Sequence, residues 1–424
     1  ASDVYKRQEG FIVKEFRGPV KGLKFRIIID QEDCYGCGIC ANVCPAPKKA
    51  LVMKPLDTQI SKQNLWDYAM KLPERTNPIG KTTARGTAFE PTYFEFSGAC
   101  AGCGETPYIN MVTRLFGDRM VIANATGCSS IYGASSPSMP YTKNLRGQGP
   151  AWANSLFEDN AEYGLGMHLG EQKLRDRLVQ RITDALPSAT GDVKEAMEEW
   201  LDKKDVGAGT RLRAETLESA LEAEVSAHPE YKDLLELKDH FIKKSQWIFG
   251  GDGWAYDIGF GGLDQVLASG EDVNVLVLDT EVYSNTGGQS SKSTPAAAIA
   301  KFAASGKKTK KKDLGMIAVS YGYIYVAQIA LGANMAQALK VIKEAEAYNG
   351  PSLIIGYAPC ELHGIAKGGM NHCQDEMKKA VKAGYWNLFS FNPALKAEGK
   401  NPFTLTSKEG DGSYQEFLNN EARY

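Results

Sequence analysis

Five short apolar runs constrain what this chain can fold into: Arg119–Ala123, Gln246–Phe249, Val273–Leu278, Met316–Ser320 and Ser352–Tyr357. None alternates with polar residues, so none suits a sheet with one wet face. Val, Ile and Leu on both sides of a strand call for cover on both faces. Between the runs the pattern predicts helices at 107–117, 255–268, 324–343 and 374–384. Such alternation predicts an α/β domain with a doubly wound, mainly parallel sheet over residues 89–424. Residues 158–243 interrupt it with charged amphipathic sequence. There Leu174, Leu178 and Ile182, and again Leu217, Leu221 and Val225, recur every fourth residue, which predicts a helical insertion.

Ahead of this domain a predicted strand, Phe25–Ile29, runs into Cys34-x2-Cys37-x2-Cys40-x3-Cys44-Pro45. That spacing closes thiolates around a [4Fe–4S] cube, and in two-cluster modules the fourth cysteine of such a run ligates the other cluster. A zinc site would instead want a second CxxC pair or distant histidines. Residues 9–60 are therefore expected to form a partial α+β ferredoxin-like domain. In it Cys34, Cys37 and Cys40 lack a fourth ligand, and Cys44 is directed at a second cluster. Residues 61–88, with Pro73, Pro78, Gly80 and Gly86, read as a linker. The opening Asp3-Val4-Tyr5-Lys6-Arg7-Gln8 coincides with a translated sequencing adapter, so residues 1–8 are expected to be an assembly scar on a protein that begins further upstream.

Charge narrows the partners. With 49 basic and 51 acidic residues the chain has a formal net charge of −2, which gives no field of one sign for nucleic acid or an anionic membrane. No apolar run is long enough to span a bilayer and no signal-peptide pattern opens the chain, so a cytoplasmic location is expected. The nine cysteines are odd in number and clustered, which suits metal ligation better than a disulfide framework. Lys307–Lys312 reads as a solvated basic loop, with docking of an acidic ferredoxin as the rival reading. His363 and His372 read as structural histidines, and Cys373 as a small buried hydrophobe.

A second cysteine set comprises Cys100-x2-Cys103, Cys128 and Cys360, the last two just past the ends of predicted strands, where open α/β sheets place their ligands. From spacing alone this set suits a cluster, a redox-active pair or zinc. After Gln246–Phe249 comes Gly250-Gly251-Asp252-Gly253-Trp254, which opens a helix. Glycines there admit a pyrophosphate to the backbone, and the Asp can hold Mg²⁺ against it. At the end of the next strand, Thr280 offers a second oxygen and Val282 a carbonyl. The two parts together form a thiamine diphosphate signature, with Thr280 where an Asn is usual. A glycine turn with a helix-capping Asp is the plainer alternative.

Taken together, Ser97-Gly-Ala-Cys-Ala-Gly-Cys-Gly-Glu105, Ala125-Thr-Gly-Cys-Ser-Ser130, Gly251-Asp-Gly-Trp-Ala-Tyr-Asp-Ile-Gly259 and Asp279-Thr-Glu-Val-Tyr-Ser-Asn-Thr-Gly-Gly-Gln-Ser290 resemble the C-terminal part of the pyruvate:ferredoxin (flavodoxin) oxidoreductases. The resemblance covers about residues 24–424. It implies a thiamine diphosphate-binding fold in which Cys100, Cys103, Cys128 and Cys360 bind a proximal [4Fe–4S] cluster, while Asp252, Thr280 and the Val282 carbonyl hold Mg²⁺. It places Glu105, Cys128, Gly251, Asp252, Gly253, Trp254, Thr280, Val282, Tyr283, Ser284 and Asn285 around thiamine diphosphate, with Asn285 also facing substrate. The implied reaction is oxidation of pyruvate with coenzyme A to acetyl-CoA and CO₂, its electrons passing to ferredoxin or flavodoxin, in an anaerobic enzyme that is a homodimer. The family's activating glutamate, coenzyme A domain and other ferredoxin run lie on segments absent here, so this chain alone is expected to be inactive. Oxidation of another 2-oxo acid is a rival reading, and a non-catalytic electron-transfer module is a rival of another class.

Overall fold

A computed structural model of the chain describes residues 10–73, 75–135 and 138–424. The expected scar at residues 1–8 lies outside the described residues. Eight strands form the central sheet: β3 (Met120–Ala125), β4 (Ala151–Ser155), β5 (Ser245–Gly251), β6 (Asn274–Asp279), β7 (Tyr325–Ile329), β8 (Ser352–Tyr357), β9 (Phe389–Phe391) and β10 (Phe403–Leu405). Two-residue strands β1 (Lys14–Glu15) and β2 (Lys24–Phe25) pair antiparallel upstream of it. The sheet order is β10-β9-β7-β8-β6-β5-β3-β4. The six strands from β7 to β4 run parallel, and β9 and β10 close one edge antiparallel.

The sheet is covered on both faces, as its apolar strands require. Helix Asn160–Ala185 lies on β3 and β5 with helix Phe260–Ala268 beside it, while helix Met335–Ala347 lies on β7 and β8 with helix Thr106–Phe116 beside it. β6 and β8 are buried at every residue. Helix Asn160–Ala185 outruns the sheet, and its far end, with Leu178 and Ile182, joins helices Gly191–Lys203 and Thr210–Glu224 in a separate core around Trp200, Leu217, Leu221 and Phe241. The Trp200 indole N–H donates to the Phe241 carbonyl at 2.9 Å, so the largest side chain of this satellite core is buried with its polar edge satisfied. The predicted insertion thus begins as part of the sheet's own helical layer.

Two adjacent assignments are reversed. Met316–Ser320, expected as a strand, lies in helix Leu314–Ser320, because the Asp313 side chain caps it by accepting the Met316 N–H at 2.9 Å. The expected helix 324–343 splits into β7 and helix Met335–Ala347, which starts at an Asn334 cap that accepts the Gln337 N–H. In a short apolar run periodicity does not separate the two states, and the capping side chains decide. The expected strand Phe25–Ile29 pairs only at Phe25, and Ile27 and Ile29 are exposed, for want of a longer partner strand among the described residues. β4, β9 and β10 were not foreseen; β4 is a half-buried edge with weak apolar character. Within 61–88 the structure forms helix Gln63–Met70 and a turn, Ala84–Thr87, capped by Thr83.

Candidate functional site

Four strands deliver the candidate residues to one rim. β3, β5, β6 and β8 are parallel neighbours, so Cys128, Asp252, Thr280 and Cys360, each just past a carboxyl end, lie along the same edge. Both Cys128 and Asp252 open into short wide-turned helical segments, Ile131–Ser135 and Gly253–Ile258, a form that recurs at functional sites.

The oxygen cluster is compact. Thr280 Oγ1 lies 3.0 Å from both Asp252 Oδ1 and the Val282 carbonyl oxygen, and all three residues are buried. Ser291 Oγ donates to the other Asp252 oxygen at 2.6 Å. Burial, and after it the neighbouring Asp279, push the Asp252 carboxyl well above the usual carboxylate range. Two acids sharing a dry site with three convergent oxygens suit a hard divalent cation, whose charge would offset that cost. The residues fit magnesium.

Behind this cluster stands a set of charges that sequence reasoning missed. Glu281 adopts a positive φ of 60°, strained for a residue with a side chain, and is pinned by Lys311 (2.9 Å), Arg423 (2.7 Å) and Tyr385 (2.7 Å). Although burial works the other way, Lys311 and then Arg423 hold its carboxyl down at about 2. His363 Nε2 donates to the Thr280 carbonyl at 2.7 Å, a structural role as expected, but one that acts directly on the metal loop. The Lys307–Lys312 run corrects the reading of a solvated loop. Lys311 bridges Asp279 and Glu281, Lys307 donates to the Ser291 and Thr294 carbonyls, and Lys312 donates to the Tyr256 carbonyl.

Glu105 is the carboxylate common to the second cysteine set. Cys103 lies within electrostatic reach of Cys128, Cys128 of Cys360 and Cys100, and Cys360 of Cys100; Glu105 acts on all four. Backbone stitches the loops together, with the Gly104 N–H donating to the Pro359 carbonyl at 3.2 Å. Among the described residues no three His, Cys, Asp or Glu side chains close on a single ion. Burial and then Glu105 push the Cys103 and Cys128 thiols up, and burial pushes Cys360 up to about 12. Without iron these thiols stay neutral; as thiolates beside Glu105 they need metal charge to balance them. Glu105 itself is buried, accepts from the Tyr132 hydroxyl at 2.8 Å, and is raised by burial to about 7.

The two halves of the rim meet. The Cys128 thiol lies 3.5 Å from Ser284 Oγ, which lies 3.3 Å from Thr280 Oγ1. A thiol of the cysteine set is therefore two side-chain contacts from the oxygen cluster. The glycines divide in role. A Cβ on Gly253 would meet the Tyr283 ring at 2.6 Å, so that glycine serves packing, whereas the space over Gly251 is open apart from the Leu278 carbonyl at 3.9 Å. The Trp254 ring is fully buried beneath Gly250, leaving only its backbone for a bound group, and Asn285 stands exposed in the loop after β6.

In the upstream module Cys40 has Cys37 and Cys34 as electrostatic neighbours, and the Cys44 sulfur accepts the Ala50 N–H at 3.3 Å. Cys373 is fully buried, as expected.

Comparison with known families fits this arrangement. Residues 237–355 match the thiamine pyrophosphate enzyme, C-terminal TPP binding domain, and residues 25–46 match a 4Fe-4S binding domain. Fold and site thus define a protein that binds thiamine diphosphate and iron–sulfur clusters. More particularly, the chain resembles the pyruvate:ferredoxin (flavodoxin) oxidoreductases along almost all its length. It is 59% identical over 96% of its residues to the pyruvate-flavodoxin oxidoreductase of Klebsiella pneumoniae, covering 35% of that protein. It is 55% identical over its full length to the pyruvate:ferredoxin oxidoreductase of Moorella thermoacetica, covering 36% of it. A mitochondrial pyruvate dehydrogenase [NADP(+)] of Euglena gracilis is 47% identical over 98% of the chain, which covers 23% of that protein. The chain spans about a third of the length of the first two relatives.

Proposed function

We propose that this chain supplies the thiamine diphosphate and proximal-cluster site of a pyruvate:ferredoxin or flavodoxin oxidoreductase, which forms acetyl-CoA and CO₂ from pyruvate and coenzyme A. The observation that carries this reading is the short path Cys128–Ser284–Thr280–Asp252, which joins a thiol-lined site to an oxygen-lined one. Asp252, Thr280 and the Val282 carbonyl hold Mg²⁺ and through it the diphosphate; Glu105, Gly251, Gly253, Trp254, Tyr283, Ser284 and Asn285 line the cofactor, with Asn285 toward substrate. Cys100, Cys103, Cys128 and Cys360 hold the proximal cluster, and Cys34, Cys37, Cys40 and Cys44 serve further clusters. Thiamine diphosphate supplies the electron sink for decarboxylation, and the clusters take up electrons singly.

The chain's own part is position and electrostatics. Lys311 and Arg423 fix Glu281, and His363 fixes the Thr280 carbonyl, so the metal loop is set before anything binds. Glu105, titrating near neutrality in a dry pocket, can hold or release a proton beside the reacting centre. Magnesium-dependent binding of thiamine diphosphate, measured by calorimetry, should vanish in Asp252→Ala. Equal binding without magnesium, or by the variant, would sink the reading. Turnover of pyruvate against 2-oxobutyrate in the complete enzyme tests the substrate, and sedimentation of that enzyme tests the homodimer.

A further inference from the structure

Two consecutive residues touch both cysteine loops. A Cβ on Gly102, inside Cys100-x2-Cys103, would fall 2.5 Å from the Met370 carbonyl oxygen; one on Gly38, between Cys37 and Cys40, would fall 3.6 Å from the Asn371 side chain. Both glycines hold positive φ, 86° and 78°, so each loop presents bare backbone to the same turn, Gly369–His372. The upstream module is fastened to that turn by Asn42, the last residue of the helical turn Ile39–Asn42. Its Nδ2 lies 2.8 Å from Asp375 Oδ2, and 3.3 Å from both the Asn371 carbonyl oxygen and His372 Nδ1. His372 Nδ1 lies in turn 3.0 Å from Asp375 Oδ2. An amide offers two hydrogens, which the Asp375 carboxylate and the Asn371 carbonyl take up, while the His372 Nδ1–H donates to the same carboxylate. Cys373, the next residue, is an electrostatic neighbour of Cys37.

We propose that the turn Gly369–His372 is the seat that sets the separation between the Cys34/Cys37/Cys40 set and the Cys100/Cys103/Cys128/Cys360 set, and that Asn42 is the positioning residue that holds the upstream module on it. The consequence for electron flow rests on the functional reading above: one cluster is oxidised as the other is reduced, one electron at a time, and that exchange weakens steeply with distance. The seat itself rests on contacts alone. The module also meets the larger domain through Phe16 against Phe89, with ring centroids 5.4 Å apart, and the helix that follows it packs Trp66 against Phe96 at 5.9 Å. Loss of Asn42 therefore loosens the seat without detaching the module.

The test uses Asn42→Ala and, from the other side of the contact, Asp375→Ala, with Asp375→Asn as the variant that keeps an acceptor. Hydrogen exchange on the iron-free chain should rise at residues 34–44 and 369–375 in both alanine variants and stay near the parent in Asp375→Asn. In the complete enzyme reduced by dithionite, paramagnetic resonance of the parent should show interaction between the clusters on the two cysteine sets. The alanine variants should lose that interaction at unchanged iron content. Unaltered exchange, an unaltered interaction, or loss of iron in both alanine variants overturns the proposal. A complete parent enzyme that holds no cluster on Cys100, Cys103, Cys128 and Cys360 overturns the functional reading instead, while the exchange result still decides the seat.

Discussion

Asp252 is kept in an environment that penalises its charge, which is a mark of a residue held for a ligand and not for the fold. Asp252→Asn is expected to raise the melting temperature of the ligand-free chain, by a gain on the order of 1 kcal/mol. The same variant should lose the further stabilisation that magnesium and thiamine diphosphate give the parent, about 2.7 kcal/mol at a hundredfold excess over Kd. Thermal melts with and without the pair check both signs. Arg423 is the opposite case, a buried cation between two buried acids, 2.7 Å from Glu281 and 2.7 Å from Glu421. Arg423→Met takes the arginine from Glu421 and leaves Glu281 with Lys311 alone, and should cost about 3–5 kcal/mol, read by urea unfolding. Asp252 and Thr280 were legible in the sequence because a glycine turn and a strand mouth are local signals. Arg423 and Glu281 were not, because their pairing spans 142 residues and nothing near Arg423 announces it.

Among the elements, the insertion has a core of its own. Trp200→Ala should cost about 3–5 kcal/mol there. Because that core is separate from the sheet, the rise in hydrogen exchange should be confined to residues 190–242. A rise in β5 or β6 would show the two cores to be one cooperative unit. The parallel strands were legible because burial on both faces removes polar alternation, and β8 matches its expected bounds. The neighbouring run at Met316 misled because four apolar residues and a serine fit either state, and the deciding caps, Asp313 and Asn334, lie outside the run.

For the molecule as a whole, pH acts through lysines drawn inward from the 307–312 run. Burial, then Lys292, lowers Lys312 to about 8 from its ordinary value of 10.5. Between those values the unfolded chain binds more protons than the folded one, so this residue makes stability rise as pH rises through that window. The parent should therefore gain on Lys312→Met from pH 8 to 10.5 in chemical denaturation; a constant difference would remove Lys312 as the cause. No helix among the described residues is long and apolar enough to cross a membrane.

The spacing of the thiols also bears on when iron can enter. Cys34, Cys37 and Cys40 are close along the chain and meet as soon as a short stretch leaves the ribosome. Cys100, Cys103, Cys128 and Cys360 meet only after β3 and β8 have taken their places in one sheet, across a loop whose closure is slow. The upstream centre can mature during synthesis, whereas the centre beside the metal loop must wait for a finished fold.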